Sequence, residues 1–160
     1  MNTSPIQLIA PQKPRLPDVG KSDASEIARV QQIQAYIEEF EYNYSGKPFL
    51  KLNKNGGAKH IHTAAKELIR LSLPIQCVEA VFIGCWLSKD MLLVDRVPLS
   101  FKSLFRGNIH RHIVLAVRCQ GKWGAIGISR RPNLMYKPVQ YDSLAQMIRD
   151  YEVSYVSLSH

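Results

Sequence analysis

The sequence predicts an α+β domain, with helices first and a small antiparallel sheet after them. Two observations carry this. Apolar residues in the first half recur at three- and four-residue steps, the spacing of one helix face. In the second half, two short apolar runs flank Gly121, as in a hairpin. The chain of 160 residues, 46% of them hydrophobic, is long enough for one domain with a true core.

Residues 1–22 hold Pro5, Pro11, Pro14, Pro17 and Gly20 without periodicity and read as a flexible arm ahead of a domain over 23–160. From Ser25, the positions Ile27, Val30, Ile33, Ile37 and Phe40 form one helical stripe, with Ser22 or Asp23 as cap. Tyr42–Pro48 ends that helix, Phe49–Leu52 reads as a short extended piece, and Asn55-Gly56-Gly57 as a turn. A second helix is expected over Thr63–Leu71, stopping before Pro74. A third begins at Ile75 to Cys77 and runs through Cys85 to about Lys89. A loop containing Pro98 follows. His112–Val117 and Trp123–Ile128 read as the hairpin strands, and Arg130–Pro138 as a loop. The last helix starts at Ser143.

No apolar run reaches the roughly 20 residues that span a bilayer, and the first residues show no conventional secretory signal. Three cysteines (Cys77, Cys85, Cys119) suit neither a disulfide framework nor a zinc motif and fit a reducing, cytosolic setting. His60 and His62 have metal-ligand spacing without a third ligand, so no metal is expected. The formal charge of +8 is unevenly spread. Between Arg96 and Tyr141 lie nine basic residues and no acidic one, so the rest of the chain nets −1. A local basic block points to an anionic partner. No aromatic-basic RNA motif or recognition helix supports nucleic acid.

Cys77, at a helix start behind Pro74, sits where free N–H groups lower a thiol pKa; a small buried apolar group is the competing reading. His112 opens a strand, either as a base for a thiol docked on the sheet or as the end of a loop. Hairpin pairing about Gly121 sets Ser129 opposite His112, where it would orient the imidazole. Cys85, eight residues into the third helix, reads as core.

The stretches LPIQCVEAVFIGCWL, RVPLSFKSLFRGNIHRHIVLAV and GKWGAIGISRRPNLMYKP, with YNYSG from Tyr42, resemble the vasohibins. The resemblance covers about Ile33 to Tyr151, including the spacing of Cys77, His112 and Ser129. It implies a transglutaminase-like cysteine protease fold and a thiol carboxypeptidase that removes the C-terminal tyrosine of the glutamate-rich α-tubulin tail. Cys77 is then the nucleophile, His112 the base, and Ser129 holds the imidazole mainly through its carbonyl. Tyr42 lies near the oxyanion and substrate, and Arg130 takes the terminal carboxylate. Gln76 stands where the family has lysine, which keeps hydrogen bonding to that carboxylate and loses the charge. Arg106, Arg111, Arg118, Lys122 and Arg131 are the wider anionic surface.

The family also implies the small vasohibin-binding protein as an activating partner, docked in part on the helix from Glu26 to Phe40. The location implied is cytoplasmic and cytoskeleton-associated, with unconventional secretion as an alternative. Beside the family the chain reads as C-terminally shortened. The rival reading is an inactive domain that binds microtubules or the helical partner without cleaving.

Overall fold

In a computed structural model, residues 15–17, 25–52 and 56–158 are described. The arm expected over 1–22 lies outside them apart from Arg15–Pro17, as do the proposed caps Ser22 and Asp23 and the turn residue Asn55. Four helices and a four-stranded antiparallel sheet confirm the α+β class.

Helix α1 (Glu26–Glu38) is capped by Ser25, whose hydroxyl accepts from the Ala28 N–H at 3.3 Å. Its stripe of Val30, Ile33, Tyr36 and Ile37 is buried in the domain's own core. That stripe is therefore not a free docking face for a helical partner, because the sheet and α3 already cover it. Helix α2 (Ala58–Leu71) begins five residues earlier than expected and takes in His60 and His62. Phe49–Leu52 forms no strand. Helix α3 (Cys77–Leu87) starts where expected and is apolar around its circumference, as suits a central helix packed on several sides.

Strand β1 (Asp95–Phe105) occupies the stretch expected to be a loop. Pro98 does not prevent this, because β1 is an outer strand, where a missing N–H breaks no ladder. Strand β2 (Asn108–Cys119) returns antiparallel to β1. Both hairpin turns use a left-handed pair, Arg106-Gly107 and Gln120-Gly121, which sets the twist of a tight hairpin. Strand β3 (Lys122–Ile126) pairs with β2 in the register centred on Gly121, with Leu115 facing Ile126. Strand β4 (Lys137–Tyr141), whose first two residues fall in the loop expected over Arg130–Pro138, forms the other outer strand and carries Pro138. Helix α4 (Leu144–Leu158) follows.

The sheet is covered on both faces. Leu115 and Val117 of β2 point into the core shared with α1, α2 and α3, whereas Val114 and Ala116 join Met147 and Tyr151 of α4. This double burial explains why β2 reads as a continuous apolar run rather than an alternating one. Among the described residues no helix is long and apolar enough to cross a membrane.

Candidate active site

The site begins with a short parallel bridge between Tyr42 and Ile75. The Asn43 N–H donates to the Ile75 carbonyl at 2.8 Å, and the Ile75 N–H to the Glu41 carbonyl at 2.9 Å. Buried Asn43 then ties the following loop together. Its amide donates to the Lys47 carbonyl at 2.8 Å, and its oxygen accepts from the Ser45 N–H and hydroxyl. The YNYSG segment is thus a braced loop lying beside the start of α3.

Gln76 caps that helix in a reciprocal box with Glu79: its side chain accepts from the Glu79 N–H, and the Glu79 carboxylate accepts from the Gln76 N–H at 3.1 Å. The Gln76 amide also donates to the Asn43 carbonyl at 3.2 Å. Its polar groups are therefore spent on joining the braced loop to α3.

Cys77 follows directly. The β2–β3 ladder ends at Leu115, and two residues along β2 the Ile113 N–H lies close enough to the Cys77 thiol to favour its ionised form. The thiol thus lies against the residue next to His112. Burial pushes its pKa up, and the N–H groups of Ile113, Val78 and Cys77 oppose that shift without reversing it. This corrects the expectation of a lowered pKa: at this half-buried helix start, desolvation and the Glu79 carboxylate outweigh the local N–H groups.

His112 is buried, which pulls its imidazole below the usual range, partly offset by a carbonyl bond. That carbonyl belongs to Leu134, whose oxygen is 2.5 Å from Nε2, and not to Ser129. The reason lies at the end of β3. The Gln34 amide takes both polar groups of Gly127, donating to its carbonyl at 2.9 Å and accepting from its N–H at 3.0 Å. Gly127 still presses on Val114, where an added Cβ would meet Val114 Cγ1 at 3.0 Å, but the ladder stops. Ser129 instead accepts from the Arg131 N–H at 3.2 Å and shapes the turn, and the chain brings Leu134 to the imidazole through the 3₁₀ turn Pro132–Leu134. Among the described residues no hydrogen bond joins thiol and imidazole directly.

Arg130 stands at the mouth of this arrangement. Its guanidinium lies 5.8 Å from the Tyr42 ring centre and 5.7 Å from that of Tyr44, near enough to the Tyr42 hydroxyl to favour its ionised form. The two rings are 4.9 Å apart. Burial raises the Tyr42 pKa, and Arg130 opposes the rise. Tyr42 and, from α4, Tyr155 are both near enough to the Cys77 thiol for its charge to raise their own pKa values. The sequence reading missed Leu134, Tyr44 and Tyr155. Only Tyr44 carried a signal, since it belongs to the YNYSG motif.

The basic block is less charged than its composition. Arg118 pairs with Asp95, Lys122 with Asp142 and Lys137 with Asp150, three acids outside the block's ends. Its potential is thereby concentrated toward Lys102, Arg111, Arg130 and Arg131, all exposed. His62 packs edge-on against Trp86 at 5.3 Å, and among the described residues no group of three His, Cys, Asp or Glu side chains is placed to hold a metal.

Fold and site define an α+β domain in which a helix-borne cysteine abuts a histidine-bearing strand and an arginine–tyrosine cluster flanks the thiol. Within that class the vasohibin family model matches residues 2–160. The chain belongs to the vasohibin family. It is 42% identical over 127 residues to mouse tubulinyl-Tyr carboxypeptidase 1. That alignment covers 79% of this chain and 34% of the mouse protein, so the chain spans about a third of that relative's length.

Proposed function

We propose that the domain is a thiol carboxypeptidase that removes the C-terminal tyrosine from the acidic tail of α-tubulin. The observation that carries this is the setting of Cys77: against β2 beside His112, with Tyr42 and its Arg130 partner next to the thiol. The name of the mouse relative, a carboxypeptidase for tubulinyl-Tyr, supports the same chemistry.

Cys77 attacks the last peptide bond, and His112 takes the thiol proton. A base is needed because the half-buried thiol resists ionisation by itself. The Nε2 edge faces the Leu134 carbonyl, which leaves Nδ1 as the basic atom. Backbone N–H groups at the start of α3, with Tyr42, stabilise the tetrahedral oxyanion. His112 then protonates the departing tyrosine amine, and water hydrolyses the acyl-enzyme. Arg130 holds the terminal carboxylate. Gln76, uncharged and engaged with Asn43, leaves that task to Arg130. The remaining exposed basic residues draw in the glutamate-rich tail, an attraction that weakens with salt.

The test is to incubate the chain with polymerised tubulin, with and without the small vasohibin-binding protein, and to follow the α-tubulin tail by mass spectrometry. Loss of one tyrosine is expected. An unchanged tail under both conditions would overturn the reading. Arg130→Ala is expected to raise KM about 10- to 100-fold with little change in kcat, because it removes a charge-assisted contact made in both ground and transition states. The acid limb of kcat/KM is expected below pH 6.5, since the neutral imidazole is the working base and burial lowers its pKa. A limb above that value would show that burial does not govern the His112 imidazole.

A further inference from the structure

We propose that α4 is a positioning strut for His112, acting through the Tyr151 hydroxyl on the Met135 carbonyl, with the Lys137–Asp150 pair as its second attachment. The inference rests on the reading of Cys77 and His112 as the working pair. It concerns a residue that touches neither.

The Leu134 carbonyl that meets the imidazole ends a short 3₁₀ turn, and β4 does not begin until Lys137. Met135 and Tyr136 lie between, outside any ladder. The direction of the Leu134 carbonyl therefore depends on what fixes this connection. Two consecutive residues of α4 do so. Tyr151 donates its hydroxyl to the Met135 carbonyl at 2.7 Å, one peptide beyond Leu134. Asp150 accepts from Lys137 Nζ at 3.2 Å and from the Tyr141 hydroxyl, which ties α4 to both ends of β4. The Lys137 ammonium also lies 4.9 Å from the Tyr151 ring centre.

Tyr151 braces His112 from a second direction. Its ring lies 5.0 Å from that of Phe101, and Phe101 is the β1 residue in register with His112. Tyr151 is fully buried, so a phenylalanine would fill the core equally well. The hydroxyl adds a desolvation cost that its bond to Met135 offsets. What the hydroxyl adds over phenylalanine is thus a fixed Met135 peptide, and through it a fixed Leu134 carbonyl. That carbonyl holds the proton on Nε2 and keeps Nδ1 basic.

The experiment compares iodoacetamide alkylation of each cysteine in the wild-type chain, Tyr151→Phe and Val153→Ala, read by peptide mass spectrometry. In the wild type Cys77 is expected to react faster than buried Cys119. Tyr151→Phe is expected to slow Cys77 about tenfold, with Cys85 and Cys119 unchanged and the thermal midpoint lowered by only a few degrees. Val153→Ala, on the exposed side of α4, should label like the wild type. On tubulin, Tyr151→Phe should lower kcat and leave KM in place, a split that a loss of packing alone would not produce. Wild-type labelling in Tyr151→Phe overturns the strut and leaves the reading of the site intact. Cys77 no faster than Cys119 in the wild type overturns that reading, and the strut with it. If Tyr151→Phe does not fold, Asp150→Asn keeps the Tyr151 ring in the core. It is expected to slow Cys77 in the same direction, and an unchanged rate there overturns the proposal.

Discussion

Cys77→Ala is expected to abolish tyrosine release from polymerised tubulin, leaving no loss of tail mass above a no-enzyme control. The effect is total because, in the proposed mechanism, the thiol forms the covalent intermediate, and alanine offers no alternative nucleophile. His112→Ala should come close to it, with a fall of roughly 10³-fold or more, because the half-buried thiol depends on a base to ionise. The two losses should not add, since both residues serve one proton transfer. Cys85→Ala is the comparison: that thiol lies on the packed face of α3 behind Arg96, and its loss should leave turnover in place. Full turnover by Cys77→Ala would sink the thiol mechanism.

The second large effect falls on stability. Gln34→Ala removes the amide that satisfies both backbone groups of Gly127, and Gln34 is 3% exposed. Two buried polar groups are left without partners, a loss of about 2–4 kcal/mol. For a chain of this size that lowers the thermal midpoint by roughly 5–15 °C. Gln34→Glu should also destabilise, because a carboxylate cannot donate to the Gly127 carbonyl. Calorimetry or urea titration measures either change, and a midpoint within a degree or so of wild type would show that the amide does not hold this corner.

The same amide marks the boundary of what was legible in the sequence. The β2–β3 pairing was legible because Gly121 centres two apolar runs, and the observed register, Leu115 against Ile126, follows from that turn. Extending it to Ser129 and His112 went too far. The residue that ends the ladder, Gln34, lies 93 positions away on α1 and carries no local mark. Leu134 was invisible for a different reason. It contributes a carbonyl, and every residue has one, so no side-chain motif can single it out. Strands β1 and β4 were hidden by their prolines, which argue against a strand in general but not against an outer one. Helix α2 begins with Ala58, Lys59 and His60 behind a glycine, without a side-chain cap to announce it. The head of α3 was legible to within two residues, because Pro74 fixes the approach; the Gln76–Glu79 capping box that sets it at Cys77 emerges only from the structure.

Those two prolines reach further than the outline of the sheet. Many peptide-binding proteins take an extended ligand as an extra strand, reading its backbone along a free edge. Here a guest strand would meet Pro98 on one margin and Pro138 on the other, each withholding an N–H it would need. On the proposed reading, an acidic tail would therefore be met at its tip, by side chains such as Arg130 and Tyr42. Under the proposed function, a tail of different sequence should then serve provided that it is acidic enough for the basic residues to attract and finishes in the right residue.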